Sequence, residues 1–129
     1  MNFTYGRQEK LKSKKAIEEL FIEGESVSAY PLRFVFLKKE HKSNFFLQVG
    51  FSVPKRKINK AVDRNRIKRV LREVYRHKKH DFDADHCYIG MFLFLDGKEW
   101  DQEVLAKKMN KIASKFHDRI NPSQKENND

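Results

Sequence analysis

A single cysteine, Cys87, stands among the 129 residues. That excludes an intrachain disulfide and any zinc site built on paired cysteines, and it fits a reducing cytoplasm. No apolar run approaches the roughly 20 residues that a membrane-spanning helix needs. The first fifteen residues, MNFTYGRQEKLKSKK, lack the apolar core of a secretory signal. A cytoplasmic protein without a membrane partner is the expectation. No internal repeat is present, so residues 1–129 read as one domain, with about 1–8 and 120–129 as flexible ends.

Acidic residues are also missing from one part of the chain. The balance of 28 basic and 18 acidic residues gives a formal charge of +10. Between Lys55 and Lys79, twelve Lys or Arg stand against only Asp63 and Glu73, while the remainder of the chain holds sixteen of each sign. The whole excess is one block, and a polyanion is the partner it suits. The apolar share is 39%, with 11 Phe, enough for a folded core.

Hydrophobic spacing predicts a helix over 9–23, with Leu11, Ile17, Leu20 and Phe21 near one face and Gly24 as its stop. A short edge strand fits 25–29. Alternation over 32–37 puts Leu32, Phe34 and Phe36 on one face and Arg33, Val35 and Leu37 on the other. Polar residues 38–44 read as a hairpin turn into a second strand, 45–53. A basic loop after Pro54 leads to a helix over 61–79. The continuous apolar run 87–95 reads as a buried strand, and 99–117 as a final helix. Helix, strands, helix, strand, helix is the order of a mixed sheet with helices packed on it.

On the 61–79 helix, Ile67, Val70, Leu71 and Val74 make one narrow apolar stripe. Arg64, Lys68, Arg69, Arg72 and Arg76, with Asn65 among them, sweep an arc on the other side, and Arg66 lies beyond that arc. An ordinary solvated helix mixes charge signs to gain i, i+4 pairs. This one does not. A membrane-surface helix keeps its apolar face free to insert, whereas this stripe is narrow enough to be committed to a core. Nucleic acid is the remaining polyanion, and arginine's planar fork suits phosphate. Nothing around the helix has the compact helix-turn-helix form of a DNA reader. Phe34 and Phe36, with Phe45, Leu47 and Val49, suggest a sheet surface for unstacked bases, although phenylalanine is most often core.

The run Ile58-Asn59-Lys60-Ala61-Val62-Asp63-Arg64-Asn65-Arg66-Ile67-Lys68-Arg69-Val70-Leu71-Arg72 resembles the signature of the bacterial ribonuclease P protein subunit, centred on Arg-Asn-Arg. The likeness extends upstream through Val49-Gly50-Phe51-Ser52-Val53 and the Lys55-Arg56 pair. It implies an α/β (α+β) single domain of order α-β-β-β-α-β-α, a sandwich like the second domain of ribosomal protein S5, with a left-handed βαβ crossover. It further implies that a catalytic RNA cuts precursor tRNA with magnesium, bound mainly by that RNA and the substrate. The protein would dock on the RNA and grip the substrate's 5′ leader, with no obligate protein partner. By that resemblance Lys55, Arg56, Lys60, Arg64, Asn65, Arg66, Lys68, Arg69, Arg72 and Arg76 contact the two RNAs. Phe21, Phe34, Phe36 and Ser52 would line a leader cleft. The chain departs from the family in three places. Ile17 stands where an aromatic is common, the loop 54–59 is one residue longer, and Asn59 replaces a frequent glycine, tolerating positive φ better than most residues.

The stretch His77 to Cys87 is dense in possible metal ligands. Asp81, Asp83 and Asp85 start like a calcium loop, but His86 and Phe92 occupy the positions that need Gly and Glu. His77, His80, His86 and Cys87 fit no standard zinc spacing. No carboxylate pair or histidine-based acid–base set marks a protein nuclease, so no catalytic residue and no metal ligand is assigned to the protein. The alternative to the ribonuclease P reading is a general or ribosomal RNA-binding module.

Overall fold

The computed structural model describes residues 9–41 and 45–121. Its elements are α1 (Lys14–Glu23), β1 (Glu25–Ala29), β2 (Leu32–Lys38), β3 (Leu47–Ser52), α2 (Ala61–Lys78), β4 (Tyr88–Phe94) and α3 (Gln102–Ile120), with a 3-10 turn at Lys79–Phe82. The order matches the α-β-β-β-α-β-α expectation. The expected flexible ends, 1–8 and most of 120–129, lie outside the described residues, as do the last three residues, 42–44, of the 38–44 connection.

The first helix starts five residues later than its periodicity suggests. Ser13 caps it, its hydroxyl accepting from the Ala16 amide at 3.2 Å. Upstream, Leu11 is buried as part of a short extended segment. Its amide donates to the Val49 carbonyl at 2.8 Å, and Lys10 bridges Val49 in parallel sense. Apolar spacing alone could not separate that use of Leu11 from a helical one. Gly24 ends the helix as expected, its amide donating to Leu20 at 2.9 Å. A Cβ there would press on the backbone carbonyls of Leu20 and Phe36.

The sheet order is β1-β2-β4-β3, and this corrects the expected hairpin between the second and third strands. β2 pairs antiparallel with β4, and β3 pairs parallel with β4 through the α2 crossover. The cause is legible in β4 itself. A strand apolar at every position must be covered on both faces, and the central position supplies that cover.

Two cores result, one on each face. On the first, Phe34 and Phe36 of β2, Phe92 and Phe94 of β4, and Leu47 and Val49 of β3 lie under α2 and α3. Phe34 stacks on Phe92 at 4.4 Å and meets Phe82 and Phe116 edge-on at 5.6 Å. Such pairs add roughly 0.5–1.5 kcal/mol each beyond area burial. Gly90 leaves the space that the Phe34 ring occupies. On the second face, Val35, Ile89 and Met91 lie under Ala16 and Leu20 of α1.

Before α3, Asp96 organises the turn. It accepts from Trp100 Nε1 at 2.6 Å and from the Gly97 amide at 2.7 Å. These bonds delay the helix to Gln102, three residues past its expected start at 99. The Trp100 hydrogen bond, reinforced by that from Gly97, holds the Asp96 carboxyl below its ordinary value of 3.8. A depressed acid stabilises the fold above its unfolded pKa, and that share is lost as pH falls through the lower folded value. Trp100 is the only tryptophan in the sequence. Its emission is therefore expected to shift as pH falls below the usual aspartate range, and Asp96→Asn should remove that step. A step that survives in Asp96→Asn assigns it to another group.

Candidate nucleic-acid interface

α2 owes its orientation to Ile67, Leu71, Val74 and Tyr75, which are buried against the sheet. Asn65, Arg69 and Arg72 are thereby turned out to solvent, with Lys68 at the edge of the arc. The loop ahead of the helix is fixed at both ends. The Lys57 and Ile58 amides donate to the Pro54 carbonyl at 3.0 and 3.1 Å, and the Ile58 side chain is buried. Lys55, Arg56 and Lys60 stand exposed around that anchor. Lys55, Arg56, Lys60, Lys68, Arg69 and Arg72 form no ion pair with any described residue. These six, like Lys57 beside them, have no ion-pair partner among the described residues and sit on the basic loop and the outer arc of α2, with Asn65 among them.

The other expected contacts are distributed differently. Arg64 closes the helix N-terminus, where Lys60 offers no side-chain cap. Its Nη1 donates to the Ile58 and Asn59 carbonyls at 3.0 and 2.7 Å. Arg66 turns toward α3 and bridges Asp63 at 3.1 Å and Glu99 at 3.2 Å. Arg76 pairs with Glu73 at 2.6 Å. The Glu73 hydrogen bond raises the Arg76 pKa, and the same bond holds the Glu73 carboxyl below its ordinary value. Lys79, the last cation of the basic block, is buried on Glu9 at 2.8 Å. Asn59 does not use its tolerance of positive φ, since no described non-glycine residue has one.

The four cleft residues also separate. Phe34 and Phe36 are 0% and 2% exposed beneath α2 and α3, on the face away from α1. They serve the core and offer no ring face to a base, so their assignment to the cleft is corrected. Ser52 and Phe21 do share one surface. Ser52 aligns with Leu93, which aligns with Arg33, in a row across three strands on the α1 side of the sheet. Successive helical residues point about 100° apart. Leu20 is buried, and Glu19 on one flank reaches Lys39, just past the end of β2, at 2.8 Å. Phe21 therefore occupies the other flank, toward the Ser52–Leu93–Arg33 end, and is 50% exposed. Ile17, one turn earlier on that flank, is half-buried against the small core. Arg33 and Leu93 were absent from the sequence-based site. The alternation that set Arg33 opposite Phe34 was the available signal.

Among the described residues, no group of three or more His, Cys, Asp or Glu side chains converges to hold a metal ion. His80 and Asp83 come no closer than 3.9 Å, and His117 is spent on the Asp83 carbonyl at 2.8 Å. The described side chains thus offer no donor set that fits a magnesium ion. No described helix is long and apolar enough to cross a membrane.

The chain is similar to known proteins over most of its length. The family model described as Ribonuclease P matches residues 5–117. The ribonuclease P protein component of Pseudoalteromonas translucida is 31% identical over 121 residues, covering 94% of this chain and 83% of that protein. That of Porphyromonas gingivalis is 39% identical over 79 residues, 60% of this chain, and the match spans only 57% of the relative's length. The solved RNase P protein of Staphylococcus aureus, at 19% identity, shares the fold with a TM-score of 0.66 over 81% of this chain and 92% of that one. With its Arg64-Asn65-Arg66 motif at the head of α2 and a family match across nearly the whole chain, this protein belongs to the ribonuclease P protein family.

Proposed function

We propose that this chain is the protein component of a ribonuclease P ribonucleoprotein. It binds the catalytic RNA and the 5′ leader of precursor tRNA and assists endonucleolytic removal of that leader. The observation that carries the reading is the set of cations on the basic loop and α2 that have no ion-pair partner among the described residues, Lys55, Arg56, Lys60, Lys68, Arg69 and Arg72 foremost. Like charges held together in water repel one another, and a phosphate backbone relieves that repulsion by releasing its counterions. The chemistry belongs to the RNA, with magnesium on its phosphates and those of the substrate. The protein's part is placement. Phosphate contacts fix register along α2, while the Ser52–Leu93–Arg33 row and Phe21 receive unpaired leader bases.

The test is to add the protein to a bacterial ribonuclease P RNA and precursor tRNA at low magnesium. Stimulated cleavage supports the reading, and cleavage by RNA-free protein contradicts it. Phe21→Leu refines the test. Leucine keeps most of the apolar volume but removes the stacking face. Holoenzyme affinity for leader-bearing precursor is expected to fall about tenfold, within the range of one base stack. Affinity for mature tRNA should hold. Equal losses on both substrates would remove Phe21 from the leader surface.

A further inference from the structure

On the flank of α2 that turns toward α3 lies a cavity of about 270 Å³. Ile67, Val70 and Leu105 form its apolar walls, Trp100 lines one side, and Arg66, Glu99 and Asp101 complete the lining. Sites for drug-sized ligands begin near 300 Å³, so this one suits a single flat ring system. The indole is already fixed in place. Its Nε1 donates to Asp96 at 2.6 Å, and the half-exposed Tyr30 ring meets it edge-on at 6.0 Å and 68°. An aromatic face held this way loses little side-chain freedom when something stacks on it.

The polar groups complete a nucleotide's requirements. Arg66 is held by Glu99 and Asp63 yet half exposed, and its guanidinium suits a phosphate. Asp101 stands at the α3 N-cap, but its side chain makes no capping bond. Ionised carboxylates only accept hydrogen bonds, so Glu99 and Asp101 favour a base edge that carries an amino group. The cavity also adjoins the RNA face. A Cβ on Gly97, three residues before Trp100, would lie 3.5 Å from the Lys57 carbonyl of the basic loop.

We propose that this cavity takes one unpaired, amino-bearing nucleobase from RNA lying across α2, with Trp100 stacking on the base and Arg66 meeting its phosphate. The proposal rests on α2 being an RNA-binding face. The base comes from the catalytic RNA or from the substrate leader, which share this chemistry.

Trp100 is the only tryptophan, so its emission reports the site directly. The full chain is titrated with single-stranded oligoadenylate and oligouridylate of equal length. Oligoadenylate is expected to quench Trp100 and to bind about fivefold more tightly than oligouridylate, a modest stacking and edge preference. Val70→Phe fills the cavity without changing charge, and should abolish both quenching and preference. Asp101→Asn, at an exposed position with no capping bond, should narrow the preference below about twofold without touching the core. Unchanged Trp100 emission at saturating oligoadenylate overturns the proposal. So does a preference that survives both variants. Arg69→Ala separates this failure from failure of the RNA face. Weaker binding of both oligomers in that variant, without quenching in the wild type, removes the cavity and keeps the face. With natural RNAs, quenching by the catalytic RNA alone assigns the base to it. Quenching that appears only with precursor tRNA assigns the base to the leader, and quenching by neither overturns the site.

Discussion

Lys79→Ala is expected to destabilise the fold by about 3–5 kcal/mol, the cost of leaving a buried charge without its partner. The Lys79 and Glu9 side chains are 3% and 11% exposed and meet at 2.8 Å, with the ammonium also 5.0 Å from the centre of the Phe45 ring. Lys79 opens the turn that follows α2, while Glu9 lies just ahead of the Leu11 segment that pairs with β3. The pair therefore ties the start of the described chain to the far end of the basic helix. Total stability of a domain is about 5–15 kcal/mol, so the loss would take up a large share of it. Glu9→Gln should cost less, because the amide oxygen still accepts from the ammonium. The double replacement Glu9→Leu with Lys79→Met should recover most of the loss, since apolar groups of similar volume commonly replace a buried pair at little cost. Urea unfolding of Glu9→Leu and Lys79→Met, singly and together, measures the pair as a double-mutant cycle. A loss under about 1 kcal/mol in Lys79→Ala would class the pair with surface bridges.

Lys79 also marks where reading the chain for charge stopped being informative. It counts toward the basic block by position, yet its partner is seventy residues away. Arg66 is similar, with Glu99 thirty-three residues distant. The pairing of Arg76 with Glu73 was within reach, because i, i+3 neighbours meet on any helix. Helical periodicity placed α2 within one residue at its end, since residues at i, i+3, i+4 and i+7 share a face on a helix and not on a strand. Strand existence was equally legible. Strand pairing was not, because alternation fixes which residues share a face and leaves open which strand lies beside which. The same limit explains Phe34 and Phe36. Their common face was evident from the alternation, but α2 and α3 close it completely. The single helix α1 covers the opposite face and leaves Ser52, Leu93 and Arg33 beyond its flank. An aromatic pair was the stronger lexical signal for base stacking, and it lies on the closed face.

The triple variant Lys68→Ala, Arg69→Ala, Arg72→Ala should bind RNA about fiftyfold more weakly than the parent at 0.15 M salt, with an unchanged melting point. Each phosphate contact on single-stranded RNA adds about −0.7 to the slope of log affinity against log salt. About six phosphate contacts give a parent slope near −4, and removing three leaves a slope near −2. Extrapolated to 1 M salt the two lines meet. The separation at 0.15 M then follows from the difference of about two slope units. The fold should tolerate the change, because these side chains form no ion pair with described residues and alanine is the best helix former. Arg76→Ala is the internal control. Its guanidinium is already paired with Glu73, so it should shift the slope far less than Arg69→Ala does. Affinities measured from 0.1 to 0.4 M salt, for the catalytic RNA and for precursor and mature tRNA, decide the matter. A parallel loss on all three RNAs identifies α2 as a backbone-reading surface. An unchanged slope in the triple variant would place the RNA on a different face, whatever the family.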